Sequence, residues 1–222
     1  MEKKELIIFG AGGHASKLIG IIEEQGHFNI LGYISTEKPG TILHNYPVLG
    51  DIEDYTGSTA LQEKYYHIAV GENSVRHRIY QVVNSPGHSR ERLAAVISSH
   101  SLISPDAVVE RGTAVAHNAV IWNRVKIGIC CIIDTGAIVE HDAVIGDFVN
   151  ISPGAVICGG VNIGWGAAVG AGATIIEKVK IGENTLVGAG SIVINDIDAN
   201  VMAVGNPARV VRKRKFTETY LR

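Results

Sequence analysis

Residues 127–157 read IGICCIIDTGAIVEHDAVIGDFVNISPGAVI, and an isoleucine or valine returns at every sixth position of this stretch. Followed outward in both directions, the series runs unbroken from Ile103 to Val193 and contains sixteen Ile or Val residues. A second slot, four residues after each of these, holds mostly small or β-branched residues from Ala107 to Ile197. A period of six fits neither an α-helix nor a hairpin sheet, and it predicts a parallel β-helix. Three hexads would make one triangular coil of 18 residues.

Glycine often comes directly after the repeating Ile or Val. We expect these glycines to serve the tight turns between the short strands, because glycine is free of the side-chain restrictions on the backbone. The positions are Gly128, Gly146, Gly164, Gly170, Gly182 and Gly188.

The first hundred residues have a different pattern. An apolar run over residues 6–9, an amphipathic stretch over 16–25 and a second apolar run over 30–34 predict a βαβ unit. A further strand over 67–70 and a helix over 76–83 continue the alternation, which predicts a small Rossmann-like parallel α/β domain. We expect three parts: this domain over residues 1–98, the β-helix over 99–205, and a loop with a basic tail over 206–222.

Composition excludes several classes of protein. The chain has 222 residues, 46% of them hydrophobic and 19% charged, which is typical of a folded protein. Its formal net charge of −2 gives no strong positive electrostatic field that would attract nucleic-acid phosphates. Residues 148–176 carry no charge, but glycines interrupt them, so we expect no membrane span. The three cysteines form no disulfide framework or zinc motif, and no signal-peptide pattern is present, which favours the cytoplasm.

A glycine-rich turn joins the first predicted strand to the first predicted helix. The segment GAGGHA, residues 10–15, satisfies G-x-G-x-x-G/A and predicts a diphosphate at the helix N-terminus, held by Gly10, Gly12, Gly13 and His14. A nicotinamide dinucleotide with Glu37 as the ribose-binding acid is an alternative, but the domain is small for one. A glycine turn needed only for strand–helix packing is the other alternative.

The hexads and the GAGGHA segment together resemble the left-handed β-helix acyltransferases of the sialic acid O-acetyltransferase and bacillosamine-pathway N-acetyltransferase group. The resemblance covers nearly the whole chain. It implies that the β-helix is left-handed, that a nucleotide-linked sugar binds the N-terminal domain, and that acetyl-CoA is the co-substrate. A triangular prism with few charges on its outward positions over residues 148–176 would leave a long apolar flank in water, so we also expect a homotrimer with active sites between subunits.

Two segments at strand ends are expected to complete the nucleotide-sugar site. Ser35 and Thr36 stand where the resembling family commonly has acidic residues near the base, so UDP, GDP and CMP all stay open. Gly71, Asn73 and Arg76 follow the third strand, at the carboxyl edge where open α/β sheets bind ligands. A helix-starting turn with a solvated arginine is the alternative for these three.

His141 is the candidate general base. It lies outside both inward-facing slots and between Glu140 and Asp142, either of which could orient its ring. The resemblance assigns the base to this histidine and its support to the acid that follows, here Asp142, and imidazole titrates in the range that acetyl transfer needs. One coil further on lies Gly159, whose backbone N–H could stabilise an oxyanion. A coil corner that requires positive φ is the alternative for Gly159.

The remaining predicted contacts concern the coenzyme. We expect Asn150, Gly159 and Gly160 to contact coenzyme A, together with the closing loop of Gly205, Asn206 and Pro207 that resembles the family's last-coil loop. A basic run over residues 209–215 either attracts the coenzyme phosphates or is a solvated tail. No metal is expected, because a carbonic-anhydrase-type centre needs three convergent histidines and His117 with His141 supplies two at most.

The leading hypothesis is an acetyl-CoA-dependent N-acetyltransferase that acts on the amino group of a nucleotide-linked 4-amino-deoxy sugar in bacterial glycan biosynthesis. A sialic acid O-acetyltransferase is the close alternative. A non-catalytic trimeric β-helix binding module and a nicotinamide-dependent front domain are the distant ones.

Overall fold

The computed structural model describes residues 3–55, 63–84 and 90–220. Its N-terminal part is a five-stranded sheet, sheet A, in the order β3-β4-β2-β1-β5, with all neighbours parallel except β3 and β4. The elements are β1 (Lys4–Phe9), α1 (Gly13–Gln25), β2 (Phe28–Ile34), β3 (Ile42–Leu43), β4 (Tyr46–Gly50), α2 (Ile52–Tyr55), β5 (Tyr65–Ile68), α3 (Asn73–Val83) and a 3₁₀ turn (Arg90–Arg92).

The rest of the chain is a triangular β-helix built from three parallel sheets. Sheet B contains β6 (Val96–Ile97), β9 (Ala114–Val115), β12 (Ile132–Ile133), β15 (Asn150–Ile151), β18 (Ala168–Val169), β21 (Leu186–Val187), β23 (Val201–Gly205) and β24 (Ala208–Lys213), of which β24 alone runs antiparallel. Sheet C contains β7 (Leu102–Ile103), β10 (Val120–Ile121), β13 (Ile138–Val139), β16 (Val156–Ile157), β19 (Thr174–Ile175) and β22 (Ile192–Val193). Sheet D contains β8 (Val108–Val109), β11 (Lys126–Ile127), β14 (Val144–Ile145), β17 (Asn162–Ile163) and β20 (Lys180–Ile181).

The hexad pattern corresponds directly to these strands. Each of the sixteen Ile and Val residues from Ile103 to Val193 is the second residue of a two-residue strand. Strands pair with those 18 residues away, as Ile121 does with Ile103 and Val139, so three hexads form one coil. The predicted fold class, a small α/β domain followed by a left-handed β-helix, is confirmed. The first β-helix strand, Val96–Ile97, lies just inside the range predicted for the N-terminal domain.

The turn positions differ from the prediction. Positive φ occurs three residues after the repeating Ile or Val, for example at Gly136, Asp142 and Gly160 with φ of 67°, 61° and 68°. The glycine directly after the Ile or Val serves close approach instead. A Cβ on Gly146 would lie 2.9 Å from the backbone nitrogen of Trp165 in the next coil, so glycine leaves room for the stacking of coils.

The N-terminal domain packs on sheet B and on the corner between sheets D and B. Helix α1 shares an apolar cluster with Ala114 and Ala116, while Phe9 and Tyr66 share another with Phe148. None of the helices in the described part of the chain has the length and apolar character that a membrane crossing needs.

Candidate active site

The glycine-rich turn is open on its outer side. Gly10 has φ of 98° and no room for a side chain, since a Cβ there would lie 2.7 Å from Val70 Cγ2. At Gly12, which begins α1 without a side-chain cap, and at Gly13, a Cβ would meet nothing within 4 Å. The N-terminus of the 13-residue helix α1 therefore has no side-chain cap and leaves room beside Gly12 and Gly13, which suits a diphosphate.

A cleft of about 660 Å³ begins at this turn. Gly10, Ser35 and Thr36 line it together, which brings these predicted residues to one place. The sequence analysis did not identify the other polar residues that line it, Asp51, Glu53 and Arg78. The exposed Arg78, two positions after the predicted Arg76, is a cation within this cleft. Most of the lining residues are apolar, and the volume is in the range of small-molecule sites.

Asn73 and Arg76 are buried and line neither of the two clefts described in this section, which corrects their prediction as ligand-binding residues. Arg76 is 1% exposed, and its guanidinium donates to the carbonyl oxygens of Cys130 and Phe148 in the β-helix, at 2.8 and 3.1 Å, and to others. Asn73 donates to the carbonyl oxygens of Gly166 and Ala167. Both side chains join the two domains. Backbone carbonyl oxygens at the corners of the β-helix accept hydrogen bonds from the buried guanidinium and amide, so these polar groups are satisfied.

A second cleft, of about 260 Å³, lies where α1 meets sheet B and its corner with sheet C. Gly13, His14 and Gly71 line it from the N-terminal domain, and Asn150 with Asp134 from the β-helix. Among the described residues, His14 Nε2 and Asn150 Oδ1 are buried without a hydrogen-bond partner. Burial lowers the pKa of His14 well below its usual range, with Lys17 adding to the effect, so the ring is neutral. A ligand with hydroxyl or amide groups would satisfy both atoms.

Asn150 was expected beside the coenzyme, with Gly159 and Gly160, and the structure places it elsewhere. Its amide donates to the Tyr220 hydroxyl at 3.0 Å, under the N-terminal domain. The physical reason is the repeat, since nine residues separate Asn150 from His141 and one and a half hexads move a residue to another side of the prism.

The C-terminal segment folds back over the seam between the domains. Arg214 is buried and donates to the carbonyl oxygen of Asn184. The Phe216 ring packs on Trp165 with centroids 4.4 Å apart, and the Tyr220 hydroxyl donates to Asn73 Oδ1 at 2.9 Å. The basic run is therefore not a solvated tail throughout. In the closing loop, Gly205 is the last residue of β23, and Asn206 and Pro207 form the turn to β24.

His141 lies on the corner between sheets C and D. Its Nδ1 is 2.8 Å from Asp142 Oδ2, so Asp142 and not Glu140 holds the ring. Arg124 lies one coil before Asp142. Its guanidinium donates from Nε and Nη2 to the two carboxylate oxygens of Asp142, at 2.7 and 2.9 Å. This bidentate contact, followed in importance by the contact with His141, lowers the pKa of Asp142 far below its usual range. The sequence analysis did not identify Arg124, although the 18-residue coil places it next to position 142, in the preceding coil.

Gly159 lies under the His141 ring. A Cβ at position 159 would be 2.7 Å from both Cε1 and Nε2 of His141, so any other residue would displace the ring. Positive φ is found at Gly160 and not at Gly159, so the corner geometry does not explain the glycine at 159. Among the described residues the Gly159 amide has no hydrogen-bond partner, whereas the Gly160 amide donates to the His141 carbonyl oxygen. The arrangement provides an imidazole with a free Nε2 above an unpaired amide.

Comparison with known proteins adds family-level information. The PglD N-terminal domain model matches residues 5–83, and the bacterial transferase hexapeptide model, of six repeats, matches residues 142–177. A curated relative, Uncharacterized protein L142 of Acanthamoeba polyphaga mimivirus, is 29% identical over 118 residues. That match spans 53% of this chain but only 22% of the relative.

Solved structures resemble the chain over almost its full length. A variant of perosamine N-acetyltransferase from Caulobacter crescentus, in complex with CoA and GDP-perosamine, is 30% identical with a TM-score of 0.87 and covers 93% of this chain and 96% of its own. The acetyltransferase domain of PglB from Neisseria gonorrhoeae, in complex with acetyl coenzyme A, is 27% identical with a TM-score of 0.86 and covers 95% and 100%. WeeI from Acinetobacter baumannii is 28% identical with a TM-score of 0.82 and covers 93% and 99%.

Proposed function

This chain belongs to the hexapeptide acyltransferases with a PglD-type N-terminal domain, and from that premise we propose that it acetylates a nucleotide-linked amino sugar. Acetyl-CoA is the donor, and the acceptor is the amino group of a 4-amino-deoxy sugar used in bacterial glycan synthesis. The observation that carries the proposal is the contact series from Arg124 through Asp142 to His141, above the Gly159 amide. The three free cysteines agree with a cytoplasmic reaction.

The two clefts suggest how the acceptor lies. The nucleoside occupies the larger cleft by Ser35 and Thr36, and the diphosphate lies over Gly12 and Gly13 at the start of α1. The sugar then enters the smaller cleft, where the unpartnered His14 Nε2 and Asn150 Oδ1 can bond its polar groups. Gly71 closes this cleft from the N-terminal domain.

His141 acts as the general base. With its Nδ1 proton donated to Asp142, the Nε2 lone pair can accept a proton from the sugar amine as nitrogen attacks the thioester carbonyl carbon. The C–N bond forms while the carbonyl oxygen takes on negative charge, which the Gly159 N–H stabilises. Collapse of the intermediate breaks the C–S bond, and the imidazolium returns its proton to the leaving sulfur. The products are an N-acetyl sugar and free coenzyme A, and the Asp142 carboxylate stabilises the transient imidazolium.

A homotrimer would complete this site. The His141 corner lies between sheets C and D, opposite sheet B, whereas the N-terminal domain and both clefts lie on the side of sheet B. The base of one chain therefore cannot reach a sugar in the cleft of the same chain. The outward residues of sheet C are all uncharged: Leu102, Val120, Ile138, Val156, Thr174 and Ile192. An uncharged sheet face of this length favours burial against another copy, and three copies around an axis bring each His141 to a neighbour's cleft.

A substrate screen tests the proposal. UDP-, GDP- and CMP-linked amino sugars are incubated with acetyl-CoA, free thiol is followed in time, and the product mass is measured. We expect one nucleotide class to give thiol release with a mass gain of one acetyl group on nitrogen, and none with the His141→Ala variant. Acetylation of a hydroxyl instead, or turnover by His141→Ala near the wild-type rate, would contradict the assignment.

A further inference from the structure

A group of three side chains that could bind a metal ion lies on the corner between sheets B and C. Glu24 comes from the last turn of α1, His100 from the corner after β6, and His117 from the corner one coil later. One ligand atom from each lies within 4.8 Å of the ligand atoms of the other two. The carboxylate is central, with Oε1 2.7 Å from His100 Nδ1 and Oε2 3.9 Å from His117 Nε2.

We propose that Glu24, His100 and His117 form a binding site for Zn²⁺ that joins the N-terminal domain to the first coils of the β-helix. Two imidazoles and one carboxylate are a ligand set that zinc accepts, with a fourth position left for water. Calcium and magnesium prefer oxygen ligands throughout, which this group does not offer. The proposal does not rest on the proposed acetyl transfer, because Glu24, His100 and His117 line neither of the two clefts described above and His141 lies on another corner.

A neighbouring serine orients one of the ligands. His117 Nδ1 lies 2.5 Å from Ser98 Oγ, and the same oxygen accepts the His100 backbone N–H at 3.0 Å. When Nδ1 donates its proton to Ser98, the Nε2 lone pair of His117 faces Glu24. Metal-binding histidines usually have such a hydrogen-bond acceptor on their other nitrogen, and its loss weakens metal binding by about 10- to 100-fold.

The backbone holds two of the ligands at a fixed spacing. The Asn118 amide donates to the His100 carbonyl oxygen at 3.0 Å, so the corners that carry His100 and His117 are hydrogen-bonded to each other. Glu24 is brought to them by α1, whose Gln25 side chain donates to the Ile97 carbonyl oxygen. The sequence did not reveal the group, because His100 and His117 are 17 and not 18 residues apart and Glu24 belongs to the other domain.

Binding of Zn²⁺ alone tests the proposal. Isothermal titration of the metal-free full chain at pH 7.5 should give one site per chain, and Co²⁺ in its place should give the visible absorption of a four-coordinate centre. Glu24→Gln, His100→Asn and His117→Asn should each weaken binding at least tenfold, and Ser98→Ala by about 10- to 100-fold. His44→Asn is the matched control, since His44 is exposed, belongs to no such group and has φ of 46°, which asparagine tolerates.

Two further readouts separate this site from adventitious binding. Zn²⁺ should raise the melting temperature of the wild type and of His44→Asn but not of His117→Asn or Glu24→Gln, because only an intact site favours the folded state. The visible Co²⁺ spectrum of the wild type and of His44→Asn should likewise be lost in His117→Asn and Glu24→Gln. Equal Zn²⁺ affinity in the wild type and in folded Glu24→Gln and His117→Asn, or a Co²⁺ spectrum that these variants retain, would overturn the proposal.

Discussion

Replacing Gly159 with alanine should move the ring of His141, the proposed general base, without unfolding the protein. The new Cβ would lie 2.7 Å from both Cε1 and Nε2 of His141, while an ordinary contact begins at 3.4 Å. The ring must therefore retreat by about 0.7 Å or more. His141 has a side chain that is 59% exposed, so the ring can swing outward and little core packing is lost.

The kinetic cost follows from that displacement. Because a misplacement of about 1 Å can cost about 100-fold in rate, we expect kcat for Gly159→Ala to fall by about 10- to 100-fold. That loss corresponds to about 1.4 to 2.7 kcal/mol in the activation free energy. KM for the nucleotide sugar should change much less, since its proposed clefts lie on the side of sheet B.

Thiol release at saturating acetyl-CoA measures kcat, and thermal unfolding measures stability on the same sample. Gly20→Ala is the control, because a Cβ on Gly20 in α1 meets nothing within 4 Å. It should leave kcat unchanged. A folded Gly159→Ala enzyme with kcat within threefold of the wild type would refute the argument that this glycine positions the imidazole.

Four other predictions follow from the structure. His141→Ala should lower kcat by about 10²- to 10⁴-fold in the thiol-release assay, and Asp142→Asn, a residue that tolerates the positive φ of position 142, should lower it less. Gly12→Leu should weaken nucleotide-sugar binding in calorimetry and leave acetyl-CoA binding intact, because it blocks the helix N-terminus without a clash; equal loss of both affinities would contradict the assignment. Light scattering should give the mass of a trimer, and Val156→Asp on sheet C should reduce it to a monomer. Burial lowers the pKa of His67 to about 4, so the unfolded state takes up the proton first as the pH falls; stability should drop by about 3 kcal/mol from pH 6.5 to pH 4, and a flat profile in denaturant titrations would contradict this.

The repeat made most of the β-helix predictable, because one slot in six must be a β-branched residue that fills the interior. The same arithmetic placed Gly159 under His141, one coil apart. Arg76 was not predictable in this way. Its position at the carboxyl edge of a sheet suggested a ligand, but its guanidinium bonds carbonyl oxygens of the other domain. Contacts between domains produce no periodic pattern in a sequence. The contact of Tyr220 with Asn73 between the domains was unpredictable for the same reason.

The corner of the proposed general base shows why the 18-residue coil would suit this chemistry. Positions 123, 141 and 159 form one column along the corner, and positions 124, 142 and 160 form the next. Backbone hydrogen bonds fix the two columns to each other, since the Asp142 amide donates to the Asn123 carbonyl oxygen and the Gly160 amide to that of His141. The base, its carboxylate and the arginine behind it are thus held by the rigid ladder of the β-helix, although all three side chains are exposed. The three side chains are preorganised by the stacked backbone and not by burial. A change that shifts one coil relative to the next should therefore lower the catalytic rate more than substitutions of the surrounding surface residues.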